Sequence, residues 1–150
     1  MTQRTAILVH PDLGIGGAER LMVDLALALE HEDFNVRFYT SHHDPKHSFP
    51  ETNGRFQVFV HGDFLPISIF GCLSIVCALV RALFLAAVLV LKTNADIYIV
   101  DQIPLCVPIL RLFGRKTLFY CHFPDKALAP HSSVLRKLYR LPFDLLEEYT

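Results

Sequence analysis

Histidine and aspartate residues stand at the ends of several short apolar runs in this 150-residue sequence. His10, His61 and Asp101 each close such a run, and His122 follows another. An imidazole can hydrogen-bond a sugar hydroxyl or move a proton near neutral pH. If the runs are parallel strands, these side chains gather along one edge of a sheet, where α/β proteins bind ligands. No two of them have the i, i+4 helical spacing of metal ligands, so a metal site is not indicated.

A glycine-rich segment, Leu13-Gly14-Ile15-Gly16-Gly17, lies between the first apolar run and a helical pattern. Glycines allow positive φ and let a ligand approach the backbone, and the free N–H groups of a helix start suit phosphate. The dinucleotide fingerprint is not met, because Glu19 stands where its third glycine is required. A P-loop would need Gly-Lys-Ser/Thr, which is absent. The segment therefore favours a diphosphate or a sugar over NAD or ATP, with a plain tight turn as the alternative.

Strand-like runs alternate with helical patterns along the chain. Predicted strands cover 5–10, 35–40, 55–61, 96–101 and 116–120, and predicted helices cover 18–30, 65–91, 103–113 and parts of 132–150. This order predicts a Rossmann-like open parallel α/β sheet with one added hydrophobic helix. Right-handed crossovers would place every carboxyl end of a strand at the same edge.

The segment 65–91 is unusually apolar, with Arg81 as its only charge. A helix of that length would extend roughly 40 Å, enough to cross a ~30 Å hydrocarbon core. A full span would separate segments that share the predicted sheet, so we predict a membrane-associated helix lying in or dipping into one leaflet. A buried core helix is the alternative. The residues predicted to meet lipid are Leu65, Phe70, Leu73, Leu83, Phe84 and Leu91.

The composition argues against some classes of protein. Hydrophobic residues make up 52% of the chain and charged residues 19%, less than the usual ~25% of a soluble domain. Fourteen Lys and Arg are balanced by fifteen Asp and Glu, which argues against a nucleic-acid partner. The four cysteines include no Cys-x-x-Cys pair, and Cys72 and Cys77 lie within the apolar segment. Buried thiols are therefore expected rather than a secreted disulfide framework.

Four sequence blocks carry a resemblance to a known family. They are HPDLGIGGAERL at 10–21, VDQ at 100–102, YCHFPD at 120–125 and KLYRLPFDLLEEYT at 137–150. The first resembles the N-terminal signature of retaining GT-B glycosyltransferases. Together the four resemble the N-terminal domain of the eukaryotic alpha-1,3/1,6-mannosyltransferases of asparagine-linked glycosylation.

The resemblance implies two Rossmann-like domains with the active site between them. Mannose would pass from GDP-mannose to a dolichyl-diphosphate-linked oligosaccharide, with retained anomeric configuration, at the cytosolic face of the endoplasmic reticulum membrane. No cofactor and no metal are implied, and membrane lipid and other glycosyltransferases of the pathway are expected partners. Residues 1–150 would be the acceptor-side GT-B domain, truncated and without the donor-binding domain, so the chain alone would be inactive. A non-catalytic membrane-associated interaction module is the second hypothesis.

The resemblance also implies roles for individual residues. His122 and Glu19 match catalytic positions, although Glu19 has the alternative of a helix N-terminal acid that favours the dipole. Gly14, Gly16 and Gly17 would bind the donor diphosphate, and His10, Asp12 and Asp101 would line the acceptor side. Three basic residues near the end of the sequence are expected to meet anionic headgroups or the acceptor diphosphate, with a solvated helix face as the alternative: Arg136, Lys137 and Arg140.

Overall fold

The computed structural model describes residues 3–69 and 73–121. Its elements in chain order are β1 (Arg4–Asp12), α1 (Gly17–His31), β2 (Phe34–His42), a 3-10 helix (Pro50–Asn53), β3 (Gln57–Val60), α2 (Ser74–Lys92), β4 (Ile97–Asp101), α3 (Cys106–Leu112) and β5 (Thr117–Tyr120). The five strands form one sheet in the order β3-β2-β1-β4-β5, and every neighbouring pair is parallel. The predicted Rossmann-like parallel sheet is confirmed.

The central strand β1 is apolar on both faces because helices cover both sides of the sheet. Ala6 and Leu8 point into a cluster with residues of α1, and Ile7 and Val9 point into a second cluster with residues of α2 and α3. All four side chains are at most 1% exposed. The alternation of neighbouring residues between two buried faces explains why this strand reads as a continuous apolar run.

Several predicted boundaries differ from the observed ones. β1 and β2 continue to Asp12 and His42, so both run past the predicted ends, whereas β3 is shorter than predicted. The short helix predicted over 103–113 is observed as α3, with narrower bounds, and Gly114 follows it with a φ of 70°, the left-handed conformation that glycine favours. The helix expected within 132–150 lies outside the described residues.

The prediction of a helix from residue 65 was wrong at its beginning. Residues 65–69 are not helical, and α2 starts only at Ser74, after Leu73 with a left-handed φ of 56°. Pro66 disfavours helical backbone at the residue before it, and the β-branched Ile67 and Ile69 are weak helix formers. The helix has 19 residues and is therefore about 28 Å long, close to the thickness of a hydrocarbon core.

The two long faces of α2 are both apolar but have different surroundings. One face is buried against the sheet and α3, and it includes Leu85, Ala86 and Leu89. The opposite face is exposed, and its large side chains form a stripe with helical spacing: Leu73, Val76, Val80, Leu83, Phe84 and Leu91. A helix at the surface of a soluble domain normally carries polar residues on that face. The exposed stripe makes α2 a candidate membrane-associated helix.

The topology decides how α2 can meet a bilayer. In the described part of the chain, α2 is the one helix long and apolar enough to cross a membrane, and 39% of its most apolar window is buried in the protein. Strands before and after α2 belong to the same sheet, and α2 packs on that sheet. A transbilayer orientation is therefore incompatible with this fold, which leaves contact through the exposed stripe, as at the surface of one leaflet.

The free thiols follow the apolar core. Cys77 and Cys106 are buried and are not in disulfides. Burial raises the pKa of the Cys106 thiol to about 12, so this side chain behaves as a small apolar group. Cys72, also expected to be buried, lies outside the described residues.

Two leucines of α2 provide a direct test of this packing. Leu85→Ala should lower the free energy of unfolding by about 2–5 kcal/mol, because Leu85 is fully buried and its loss leaves a cavity. Leu83→Ala is the matched control, since Leu83 is 48% exposed and should cost well under half as much. Urea unfolding followed by circular dichroism measures both. Equal losses would contradict the assignment of the two faces.

Candidate functional site

A pocket of about 530 Å³ opens at the carboxyl edge of the sheet. The ends of β1, β2 and β4 form its base, and the first turns of α2 form one wall. Its lining residues are Pro11, Asp12, Ser41, His42, Ile67, Ser74, Ile75, Ala78, Arg81, Ala82, Gln102 and Ile103. The pocket therefore lies where open parallel sheets bind ligands, and it combines four charged or polar strand-end groups with the start of the apolar helix.

His42 and Asp63 form an ion pair at the rim of this pocket. His42 Nδ1 lies 2.6 Å from Asp63 Oδ1, and both side chains are partly exposed. The hydrogen bond to Asp63 raises the pKa of His42, and the charges of Asp63 and Asp12 act in the same direction against partial burial and Arg81. The pair can accept or release a proton within reach of a ligand in the pocket.

Arg81 brings a buried positive charge to the pocket wall. Its side chain is 9% exposed, and its guanidinium donates hydrogen bonds to the Ser41 carbonyl at 3.0 Å and to the Leu65 carbonyl at 3.4 Å. Carbonyl oxygens orient the guanidinium but carry no formal charge. The side chain therefore presents a fixed cation to whatever occupies the pocket.

His10 and Asp101 lie beneath the pocket and not on its lining. Their side chains are 1% and 0% exposed, and His10 Nε2 lies 3.2 Å from Asp101 Oδ2. His10 Nδ1 also lies 2.7 Å from the Asp12 carbonyl oxygen. The Asp12 N–H also contacts His10 Nδ1, at 3.3 Å, so the ring meets both backbone polar groups of Asp12. The pair joins the end of β1 to the end of β4 and holds Asp12 at the pocket. His10 and Asp101 therefore support the pocket residues and do not line the pocket themselves.

Gln102 follows Asp101 in a strained backbone conformation. Its φ is 58°, which is uncommon for a residue with a side chain. Its N–H donates to the Tyr120 carbonyl at 3.3 Å, so the turn out of β4 is held against β5 while the residue lines the pocket. Strain of this kind concentrates at ligand sites, because the surrounding structure must hold it in place.

The glycine loop has the predicted location but not the predicted backbone. Gly16 is the N-cap of α1 with an extended φ of −163°, and neither Gly14 nor Gly17 adopts a positive φ. A Cβ on Gly17 would meet nothing within 4 Å, so neither backbone conformation nor packing requires glycine there. The absence of a side chain at Gly17 leaves open space beside the first N–H groups of α1, and a bound phosphate would need that space.

Two polar residues of the GGAER block have different positions. The Glu19 carboxylate lies over Gly16, where a Cβ would come within 2.3 Å of it, and it is the acid of the first turn of α1. Such an acid is favourable at a helix start, which supports the structural alternative for Glu19. Arg20 binds Asp24 and, at 3.1 Å, Glu51. It therefore holds the 3-10 helix against α1.

The histidine-rich loop after β2 packs beside the glycine loop. His43 Nδ1 lies 3.3 Å from the Leu13 carbonyl oxygen, and a Cβ on Gly14 would lie 3.9 Å from the His47 carbonyl oxygen. Residues 3–69 and 73–121 contain no group of three His, Cys, Asp or Glu side chains that could hold a metal ion. The loop histidines therefore flank the glycine loop as polar neighbours.

The remaining predicted residues do not reach the pocket or cannot be placed. His61 stacks on Tyr39 with ring centroids 5.9 Å apart, and burial lowers its pKa. It is not among the residues that line the pocket. Leu65 is partly buried, and Leu73, Leu83, Phe84 and Leu91 are exposed, as expected for lipid contact. Five predicted residues lie outside the described part of the chain: Phe70, His122, Arg136, Lys137 and Arg140.

Sequence reasoning missed the His42–Asp63 pair. The sequence separates the two residues by 21 positions, and both lie between predicted elements. The sequence does contain an indication of this pair, because Thr40 and Ser41 continue the strand pattern toward the edge that His10 reaches. Only the longer β2 brings His42 to the pocket.

The chain is similar in sequence to three named mannosyltransferases. The chain is 53% identical over 146 residues to the alpha-1,3/1,6-mannosyltransferase ALG2 of Rhizomucor pusillus, covering 95% of this chain and 32% of that protein. It is 49% identical over 153 residues to the ALG2 of Saccharomyces cerevisiae, covering 99% of this chain and 30% of the relative. The ALG2 of Schizosaccharomyces pombe is 50% identical over 151 residues, or 97% and 30% of the two chains.

The chain is a homologue of these mannosyltransferases. It spans about a third of the length of the curated relatives that it matches. No family model matches the chain. The predicted resemblance to alpha-1,3/1,6-mannosyltransferases is therefore confirmed at the level of homology.

Solved structures confirm the fold at much lower sequence identity. The glycotransferase of kitacinnamycin superposes with a TM-score of 0.60 at 13% identity, covering 98% of this chain and 38% of that one. The structure of TcCGT1 in complex with UDP gives a TM-score of 0.56 at 13% identity, covering 93% and 32%. The chain thus shares the Rossmann-like fold of these two structures.

The His42–Asp63 pair can be tested by titration. Asp63→Asn should lower the pKa of His42, because its main cause of elevation is lost. A raised folded pKa stabilises the protein fully below the unfolded value of about 6.5 and loses that effect as pH rises through the folded value. The stability lost in the variant should therefore be largest at acidic pH and shrink on raising the pH.

Histidine NMR titration and urea unfolding measure the two effects. Asp33→Asn is the control, because Asp33 precedes β2 at the opposite edge of the sheet. An unchanged His42 titration in Asp63→Asn would show that the pair does not form in solution.

Proposed function

We propose that this chain is the acceptor-side GT-B domain of a retaining mannosyltransferase of asparagine-linked glycan assembly. The observation that carries the proposal is about 50% identity to named alpha-1,3/1,6-mannosyltransferases over almost the whole chain. The donor would be GDP-mannose and the acceptor a dolichyl-diphosphate-linked oligosaccharide. A donor-binding domain would belong to the two thirds of the relatives' length that this chain does not match.

The glycine loop supports a role at the leaving group. During glycosyl transfer the sugar becomes cationic and negative charge grows on the departing diphosphate. The N–H groups at Gly16 and Gly17 lie at the positive end of α1, where they can stabilise such charge. Glu19 currently occupies the space over Gly16, so a bound diphosphate would require its carboxylate to turn away.

The pocket supports a role in holding the acceptor. Asp12 and the His42–Asp63 pair offer acceptors and donors for sugar hydroxyls, and Gln102 adds an amide. His122, by its match to the family position, would hydrogen-bond the transferred mannose. His10 and Asp101 would act on the acceptor through Asp12 and the end of β4.

The exposed stripe of α2 supports a location at a membrane. A dolichol-linked acceptor is anchored in the bilayer, so the acceptor pocket must lie next to lipid. The stripe begins at the carboxyl edge, beside the pocket, and continues along the whole helix. Contact with the cytosolic leaflet of the endoplasmic reticulum would place the pocket at the headgroup level.

A chimera tests the proposed activity. These 150 residues would replace the matching segment of the Saccharomyces cerevisiae relative, and radiolabelled mannose transfer from GDP-mannose to the lipid-linked acceptor would be measured. The chimera should be active, and His122→Ala in it should lower kcat by 10²-fold or more. The 150-residue chain alone should transfer no mannose. An inactive but folded chimera would contradict the proposal, and wild-type kcat in His122→Ala would remove the role of His122.

Substitution of Gly17 tests the donor site separately. Gly17→Ala in the chimera should leave stability unchanged or raise it by about 0.4–1 kcal/mol, because the site has open space and helical backbone. The KM for GDP-mannose should nevertheless rise, since the Cβ would stand where the diphosphate approaches. Gly114→Ala is the control with the opposite pattern, because its φ of 70° makes a side chain costly far from the donor. An unchanged KM in Gly17→Ala would argue for a plain turn.

A further inference from the structure

We propose that the pocket at the start of α2 binds a phosphate group carried by a lipid, with Arg81 as its cationic contact. Arg81 would hold the phosphate of the lipid-linked acceptor at the membrane. This role rests on the proposed membrane contact of α2. Neither the motif blocks nor the predicted site residues include Arg81.

The charge of Arg81 has no counter-ion in the described part of the chain. Its two hydrogen bonds go to the carbonyls of Ser41 and Leu65, and no carboxylate of residues 3–69 or 73–121 lies within 4.0 Å of its guanidinium. A guanidinium has five N–H donors, so donors remain for a ligand. A charge that is 91% buried is costly without an opposite charge, and a phosphate would supply it.

The position of Arg81 on the helix also argues for a ligand. Every other residue from Ser74 to Leu91 is uncharged, and the neighbours Ala82, Leu85 and Cys77 on the buried face pack as apolar groups. An apolar side chain at this position would complete the core without the desolvation of a cation.

The other polar groups of the pocket fit a phosphate. Ser41, Ser74 and Gln102 line it and offer hydroxyl and amide donors. His42 lines it as well, with its Nδ1 held 2.6 Å from Asp63 Oδ1. Asp12 is the lining carboxylate, and its exposed side chain lets solvent screen its repulsion of an anion.

Exposed apolar residues beside the pocket indicate that the phosphate belongs to a lipid. Ile67 lines the pocket and is 73% exposed, and Ile69 and Phe64 continue this surface. Phe64 packs edge-on against Phe84 with ring centroids 5.3 Å apart, which joins the surface to the exposed stripe of α2. A free phosphate needs no such surface, whereas a polyprenyl chain leaving the pocket would lie against it.

Vesicle flotation of the 150-residue chain tests the proposal. The vesicles would contain phosphatidylcholine alone, phosphatidylcholine with a polyprenyl phosphate, or phosphatidylcholine with phosphatidylserine at matched surface charge. The wild-type chain should bind the first through α2 and bind the second about tenfold more tightly, the effect of roughly two charge-assisted hydrogen bonds. Matched phosphatidylserine should give a clearly smaller increase, and inorganic pyrophosphate should compete only weakly.

Four variants separate the phosphate contact from folding and membrane contact. Arg81→Met should lose the polyprenyl-phosphate increase and retain binding to phosphatidylcholine. Arg111→Met removes the same charge from an exposed position of α3 and should keep the increase. If Arg81→Met does not fold, Ala78→Asp places a carboxylate in the pocket at an exposed position and should also lose the increase. Ala78→Asn is its uncharged control.

The possible outcomes are distinguishable. Retention of the increase in both Arg81→Met and Ala78→Asp would overturn the phosphate site, as would an equal increase with phosphatidylserine. Strong competition by pyrophosphate would assign the pocket to free phosphates and overturn the lipid part. Loss of all vesicle binding by the wild-type chain would instead refute the membrane contact of α2, and mannose transfer by the chimera is measured independently of both.

Discussion

The structure depends on one constraint, which is that a parallel sheet must be covered on both faces. β1 lies between β2 and β4 and its residues 6–10 are buried, so its two apolar faces require helices on both sides. α1 covers one face, and α2 and α3 cover the other. Because α2 must serve as a crossover between β3 and β4, it runs from the carboxyl edge back to the amino edge. Its first turns therefore lie at the edge where ligands bind.

The same constraint gives α2 two roles that would otherwise conflict. A helix that is apolar on all sides would normally be buried completely or cross a bilayer. Here its inner face completes the core, and its outer stripe of Val76, Val80, Leu83 and Leu91 is exposed. The helix is bound to the sheet along its length, so lipid can meet only the outer stripe. An acceptor pocket and a membrane surface thus lie side by side on one element.

The carboxyl edge is built in two levels. Below, the buried His10–Asp101 pair holds the strand ends in place. Above, Asp12, His42 and Arg81 reach the pocket. Asp12 is held through its carbonyl by His10, His42 pairs with Asp63, and Arg81 donates to the Ser41 carbonyl at the end of β2. Residues of the lower level are too buried to touch a ligand, but they set where the upper residues stand. This separation explains why a histidine at a strand end need not itself be a ligand contact.

The amino-acid sequence by itself determined the parallel sheet, the glycine loop and the existence of an apolar crossover helix, because these depend on local periodicity and turn residues. It misplaced the start of α2, since Pro66 and the β-branched residues around it acted locally against a strong apolar pattern. It also implied His10 and Asp101 as site residues without showing that they are buried. Burial depends on which strands become neighbours, and local pattern does not contain that information.

Only the tertiary structure determines which residues form the pocket. Arg81 and Ser41 are 40 positions apart, and His42 and Asp63 are 21 apart. No sequence spacing relates these residues, because the contacts arise from three parallel strands ending at the same edge with α2 folded across them. The fold alone brings a buried cation, an ion pair and an exposed apolar helix together, and that combination supports both the proposed acceptor site and its contact with lipid phosphate.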